Sequence, residues 1–529
     1  MLRPLVILLT LFLSAGPAIS QADKKNSSSH ILDDLERELD STSDDVDSFI
    51  VNNEREFYAY IDSLNNDFAN YLAKEWKSVD KGKAVKYERD KEYKPIIYDE
   101  KKEQNREHRI LKGSVIPILR QSSPQPSPVR PILENKAAVD YSTFAFYGTS
   151  MSVRWGNASK FKFNTNSLTN KDIANAYRKF SGKEYQNLLS DCLKLRKIYH
   201  LCDWAYYKLL ETVAEKACGK GSNEAKFLHG TLYGKSGYSM RFAIDANTRK
   251  LYILCRIIGG AFDYTPYYID GKIYYLFENS APAKLSYCPK EYKGEQPMSL
   301  DIKELPHLSV SLDEEKTIRA LSYPIAVKSQ VNKNLVDFFD SYPTSYKDDN
   351  FMTRWAYYAN TPVSDEMREN VYPDLKKAIY TMRKETAVNM LLSWVQPLHE
   401  KDFVKQPDKK GEQIGIHYGN DNDMWGHDRA FFAEETLHYD YSDCEDHAIL
   451  FSHLVRDLLG LDVALVYYPG HLSTAICFGE EYVEGDAFDV NGRRFVVADP
   501  TYCRGKVGMT GSEARKANPK DIKLIVLER

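Results

Sequence analysis

The sequence predicts an α+β protein, and three observations carry that prediction. From Ala448 the apolar residues Phe451, Val455, Leu458 and Leu459 recur at helical spacing, Leu450 and Leu454 widen the stripe, and Gly460 ends it. Residues 442–459 therefore read as a helix packed on a core. Two β-rich runs follow directly, 462–468 closed by Pro469-Gly470 and the alternating run 471–478. Earlier in the chain, helical patterns at 172–180, 185–199 and 203–218 precede strand patterns at 239–242, 250–257, 267–269 and 272–277. Helices first and strands second is α+β order rather than an alternating α/β order.

The helix at 442–459 begins on a cysteine in the run Tyr441-Ser442-Asp443-Cys444-Glu445-Asp446-His447. Ser442 followed three residues later by Glu445 is a capping-box pattern, which makes Ser442 the N-cap and Cys444 the second helical residue. Helix dipole and first-turn N–H groups there favour a thiolate. His471 opens one strand. Val490-Asn491-Gly492-Arg493 has a two-residue hairpin signature, and the strand after it delivers Asp499 immediately before Pro500. Cysteine at a helix start, with histidine and aspartate at neighbouring strand ends, lets imidazole take the thiol proton while a carboxylate fixes the imidazole. The flanking acids Asp443, Glu445 and Asp446 oppose a thiolate unless they face away or cap the helix.

The motifs YSDCEDHAIL, LDVALVYYPGHLSTAICF and RRFVVADPTY, in that order, resemble the transglutaminase-like superfamily of papain-like fold over residues 394–502. From residue 141 onward the chain also resembles exported bacterial proteins that carry this domain. The resemblance implies a papain-like C-terminal domain and thiol-dependent acyl transfer without a cofactor, with Cys444 as nucleophile, His471 as general base and acid, and Asp499 as orienter. The implied substrate is a protein or peptide. Members of the superfamily include cross-linking enzymes, peptidases, amidases and inactive relatives, so amine and water both stand as acceptors.

Along the chain, Met1-Leu2-Arg3, an apolar run at 5–13 and Ala18-Ile19-Ser20 make up a secretory signal over 1–20, which predicts an exported protein. Residues 21–78 read as a helical segment, with Phe57, Tyr60, Ile61, Leu64, Phe68, Tyr71, Leu72 and Trp76 at helical spacing. A charged, then Pro-rich linker spans 79–138, an α+β domain 139–300, a connector 301–333 and the catalytic domain 334–529. Residues 405–424 read as a loop near the cleft. No later run is long enough to span a bilayer. A net charge of −4 removes the electrostatic argument for nucleic acid. The eight cysteines contain no CxxC pair, and His417, His427, His438, His447 and His453 are not spaced as ligands, so no metal is expected. Cys477 and Cys503 read as core thiols.

The two globular halves also read as one pattern written twice. An ungapped alignment lays 221–242 on 444–465, sharing an alanine, an apolar stripe, a helix-ending glycine and a following strand. Ile269-Asp270-Gly271-Lys272 then matches Val490-Asn491-Gly492-Arg493. That alignment puts Gly221 in the nucleophile's place and makes the middle domain a degenerate, non-catalytic copy. From another functional class, the protein is a binding or scaffold module with a vestigial triad.

Overall fold

The computed structural model describes residues 62–86, 96–100, 106–118, 141–155, 168–180, 183–278, 280–291, 294–346, 353–398, 412–419 and 427–528, with a few shorter pieces between. The signal segment, most of the Pro-rich centre of the linker and most of the 405–424 loop lie outside the described residues. The chain divides into two compact units, Met1–Leu64 and Asn65–Arg529. In the first, residues 55–56, 59–60 and 62–64 are helical. The second opens with helical residues 65–72, whose Phe68, Ala69 and Leu72 are buried. The helix ends there, short of Trp76, whose indole N–H donates to the Leu72 carbonyl at 2.9 Å. Among the described residues, no helix is long and apolar enough to cross a membrane.

Helices α1 (Asn170–Phe180), α2 (Lys183–Ile198), α3 (Asp203–Cys218) and α4 (Asn223–Lys235) lead into the middle sheet. That sheet joins β1 (Lys77–Asp80) to β2 (Met240–Ile244), β3 (Leu251–Cys255), β4 (Thr265–Ile269), β5 (Lys272–Leu276) and β6 (Lys284–Tyr287). Its order is β1-β6-β2-β3-β5-β4, antiparallel throughout. Farther on, α5 (Lys384–Val395) and α6 (Cys444–Leu459) precede β7 (Asp462–Tyr468), β8 (His471–Cys477), β9 (Ala487–Val490), β10 (Arg493–Ala498) and β11 (Lys523–Val526). Their order is β9-β10-β8-β7-β11, again antiparallel. Read from β6 to β4 and from β11 to β9, the two sheets have the same strand order and the same directions.

Local chemistry explains the shared hairpin. Asp270 and Gly271 have φ of 47° and 74°, and Asn491 and Gly492 have 54° and 77°. Both turns place two consecutive residues at positive φ, which the right-handed twist of a two-residue hairpin requires and which Asp-Gly and Asn-Gly tolerate.

Both sheets curl. Ile110 and Leu111 pair with β9, while Ser114 and Val115, after two intervening residues, pair with β11 at the other edge. Strands spaced about 4.8 Å apart would separate β9 from β11 by about 19 Å in a flat sheet. The chain from Leu111 to Ser114 reaches about 11 Å at most. Only a curled sheet brings both edges to that segment. The linker read from sequence thus closes the C-terminal sheet, with Arg109 N–H donating to buried Asp486 at 3.0 Å and Arg515 bound to the same carboxylate. In the middle sheet β1 pairs with β6, and the next residue, Lys81, bridges Tyr267 on β4. This closing segment runs antiparallel to its neighbours, whereas 110–115 runs parallel.

Curling buries both faces of the central strands β2, β3, β7 and β8. In β7, Val463, Leu465 and Tyr467 belong to the main core, while Ala464, Val466 and Tyr468 fill the inside of the curl. Helix α6 packs on β7 and β8, and α4 packs on β2 and β3.

These helices carry buried imidazoles. Burial pushes His229 on α4 down to about 3, and His447 and His453 on α6 down to about 4 and about 3. Each is neutral in the fold and binds a proton near 6.5 once unfolded, so its stabilisation is full above pH 6.5 and lost as pH falls toward 3 to 4. Between pH 6.5 and 5 each should cost on the order of 2 kcal/mol. Urea unfolding across that range should show the midpoint falling as pH is lowered, and His229→Gln, His447→Gln and His453→Gln should each flatten the fall; a profile that none of them changes would rule out neutral burial of these rings.

Candidate active site

Cys444 is the first residue of α6, and its side chain is buried. The N-cap is Asp443, one residue later than the capping-box reading placed it. The reciprocal partner is Asp446, whose carboxylate accepts from the Asp443 N–H at 3.0 Å and from the Phe431 N–H at 2.8 Å. Ser442 is diverted elsewhere: its hydroxyl donates to the His417 carbonyl at 2.6 Å and lies 3.2 Å from His447 Nε2. His447 Nδ1 stands 3.0 Å from the Val395 carbonyl, tying the first turn of α6 to the end of α5. The Gly419 N–H donates to the Ser442 carbonyl at 3.0 Å, so the short piece at 412–419 lies against the residues before the thiol.

His471 opens β8, and its Nε2 is 2.8 Å from Asp499 Oδ2. The other oxygen of Asp499 accepts from the Thr501 N–H at 3.0 Å and the Thr501 hydroxyl at 3.1 Å. Burial opposes ionisation of Asp499, but His471 and these two donors outweigh it and hold the carboxyl below its usual range. The His471 ring lies parallel to Tyr468 at the other end of the two-residue turn, centroids 6.2 Å apart. Cys444 meets this pair through the backbone: the Leu472 N–H, one residue past His471, points at Cys444 Sγ with N···S 3.5 Å. All three residues read from sequence therefore gather at the start of β8, each at most 3% exposed.

The acids beside the thiol divide. Asp446 caps the helix, as one of the sequence expectations has it. Glu445 does not face away: its Oε2 accepts from the Cys444 thiol at 3.1 Å. Ligand atoms of Asp443, Cys444 and Glu445 lie within 4.8 Å of one another, a donor set that suits a divalent transition ion by type but comes from three consecutive residues. His438 Nδ1 is 2.8 Å from Asp313, and His453 Nε2 is 3.4 Å from the Tyr358 carbonyl, so these rings serve separate contacts. Trp425 donates its indole N–H to Asp340 at 3.2 Å. Cys477 and Cys503 are buried as expected, the latter against the Pro397 carbonyl at 3.2 Å.

Sequence reasoning missed three supports. Thr501 follows Asp499 by two residues, an Asx-type spacing that is legible afterwards. Gln396 holds the Tyr502 and Gly505 carbonyls at 2.8 Å each and the Arg504 N–H at 3.1 Å, fixing the loop after Asp499. No pattern announces it. The Leu472 N–H is a backbone group without a sequence signature.

No family profile, curated protein or solved structure matches the chain.

The Glu445 contact gives a direct expectation. A carboxylate holding the thiol proton opposes thiolate formation, so Glu445→Gln should raise the alkylation rate of Cys444 at pH 7 by about three- to ten-fold. Mass-resolved iodoacetamide labelling measures it, and an unchanged rate would show that this carboxylate does not control the thiol.

Proposed function

We propose that the protein is an exported, cofactor-independent thiol enzyme that transfers acyl groups from peptide or amide bonds, on a frame of the transglutaminase-like, papain-like kind. The observation that carries this reading is the buried His471–Asp499 hydrogen bond at the start of β8, with the Cys444 sulfur held against the next backbone amide. With Nε2 committed to Asp499, His471 Nδ1 is the nitrogen that exchanges a proton with the thiol. Sulfur attacks the carbonyl carbon of a protein or peptide amide while its proton passes to His471. First-turn N–H groups of α6, beginning with that of Cys444, face the oxyanion. Collapse breaks the C–N bond, the imidazolium returns the proton to the departing amine, and a Cys444 thioester remains. Water then releases an acid, or a lysine amine forms a new amide, and either step regenerates the thiol. Export rests on the N-terminal signal pattern.

One observation favours a different reading. The Glu445 carboxylate on the thiol, together with burial of the site, suits a binding or scaffold module whose triad is vestigial.

Stoichiometric alkylation separates the two. Under the enzyme reading one equivalent of iodoacetamide labels Cys444 ahead of the other seven cysteines at pH 6.5, and His471→Ala abolishes that preference. Asp499→Asn should fold normally and lower both the labelling preference and any amidase or transamidase turnover by about 10²- to 10⁴-fold. Labelling of Cys444 no faster than an ordinary thiol assigns the protein to the binding class.

A further inference from the structure

The register of the two sheets locates a second centre. A constant displacement of 221 positions carries Cys444 to Asn223, His471 to Lys250, Leu472 to Leu251 and Asp499 to Glu278. It also lays the inward-facing Phe488, Val490, Phe495 and Val497 on Tyr267, Ile269, Tyr274 and Leu276, which fill the inside of the middle curl. The contacts transfer with the positions. The Leu251 N–H donates to Asn223 Oδ1 at 2.8 Å, as the Leu472 N–H points at Cys444 Sγ. Lys250 Nζ meets Glu278 Oε2 at 2.7 Å, as His471 meets Asp499 at 2.8 Å. Asn223 and Cys444 are each the first residue of their helix. The ungapped alignment misplaced the nucleophile's counterpart at Gly221 because α4 has 13 residues and α6 has 16, so one displacement cannot match both the starts and the ends of the two helices.

We infer that the region from α3 to β6 is a second copy of the C-terminal frame, in which Asn223, Lys250 and Glu278 replace the thiol, the imidazole and the carboxylate. An amide is no nucleophile at neutral pH, and an ammonium paired with Glu278 accepts no proton. Lys226, 3.1 Å from Glu278, adds a second cation. The ion pair joins the same two strand ends that His471 and Asp499 join, so the copy keeps the geometry and lacks the chemistry. Calling this centre silent rests on the thiol reading of Cys444; equivalence of the frames does not.

The test installs the missing chemistry. In a full-length Cys444→Ser chain, the combination Asn223→Cys, Lys250→His and Glu278→Asp should alkylate at position 223 at least ten-fold faster at pH 6 than the same chain with Lys250→Gln in place of Lys250→His. Equal rates in chains with native circular dichroism overturn the inference. A crystal structure of the native chain tests it without variants: overlaying α4, β2, β3, β5 and β4 on their counterparts should bring the Cα of Asn223 onto that of Cys444, and any other displacement overturns it. Labelling of Cys444 in the native chain reports separately on the acyl-transfer reading.

A separate cluster on the surface carries a second proposal. His200 Nδ1 is 2.7 Å from Glu304 Oε1, the His200 and His307 rings lie 4.2 Å apart, and one ligand atom from each of the three falls within 4.8 Å of the others. His200 sits two residues beyond the C-terminal end of α2, whose dipole favours a cation, and it holds a left-handed φ of 50°. The His307 N–H donates to the Tyr199 carbonyl at 2.9 Å, fixing one imidazole beside the other. We propose that His200, Glu304 and His307 bind a divalent transition metal such as zinc, with solvent completing the coordination. Titration of zinc into the EDTA-treated Cys444→Ser chain should show one equivalent bound at pH 7.5. His307→Ala or His200→Ala should weaken it at least ten-fold. Binding that survives the His200→Ala, His307→Ala pair, or no binding at all, overturns the site.

Discussion

A carboxylate buried as deeply as Asp499 is stable only when its oxygens are satisfied, and the way they are satisfied organises everything near Cys444. One oxygen takes His471 and the other takes the backbone and hydroxyl of Thr501. His471 and Asp499 reach each other because β8 and β10 are adjacent and antiparallel, with Thr474 opposite Ala498. A register slip of one residue in either strand would turn its member of the pair to the other face of the sheet. Burial on both faces prevents that slip. Leu472 and Ile476 must meet the helices while Ala475 and Cys477 must fill the curl. The segment at 110–115, by holding both sheet edges, sustains the inner face on which this depends.

Much of this was legible from residue order. Gly460, Pro469-Gly470 and Asn491-Gly492 mark the ends of α6, β7 and β9 because their backbone demands are local, and the structure puts them there with positive φ at Gly460, Gly470, Asn491 and Gly492. The three site residues stand where those marks place them, at a helix start and two strand ends. The N-cap was misread by one residue because Ser442 and Asp443 are both good caps, and only the fold shows the Ser442 hydroxyl engaged by His417. The closing segment was illegible for a different reason. Two-residue strands such as Ile110–Leu111 and Ser114–Val115 carry no periodicity, and their pairing exists only once the sheet has curled.

Around the sulfur two electrostatic influences oppose each other. The helix start favours a thiolate, and its first-turn amides are the natural partners of negative charge. Asp446 places a buried carboxylate at the same end, accepting from the Asp443 N–H, and Glu445 adds another at 3.1 Å from Cys444 Sγ. A helix dipole contributes about 0.3 to 2 kcal/mol, a range that one neighbouring charge in a dry site can match or exceed. Under the proposed thiol chemistry, thiolate formation would therefore need an imidazolium at His471 as partner rather than the helix alone.

On the inferred duplication, the two centres show what one frame would tolerate. In the C-terminal copy His471 and Asp499 are 3% and 2% exposed, whereas in the middle copy Lys250 is 41% exposed and Glu278 19%. A strongly hydrated ammonium is costly in the first setting and acceptable in the second. A neutral imidazole is the reverse: it withstands burial and still takes up a proton when a thiolate forms beside it. Under the proposed chemistry, dryness at the start of β8 would strengthen the attraction between thiolate and imidazolium, and the same dryness would leave a lysine without its water. Solvent at the start of β3 relaxes that demand, so on this reading the middle copy would hold its strand ends together with the Lys250–Glu278 ion pair and keep the fold without a group that moves a proton.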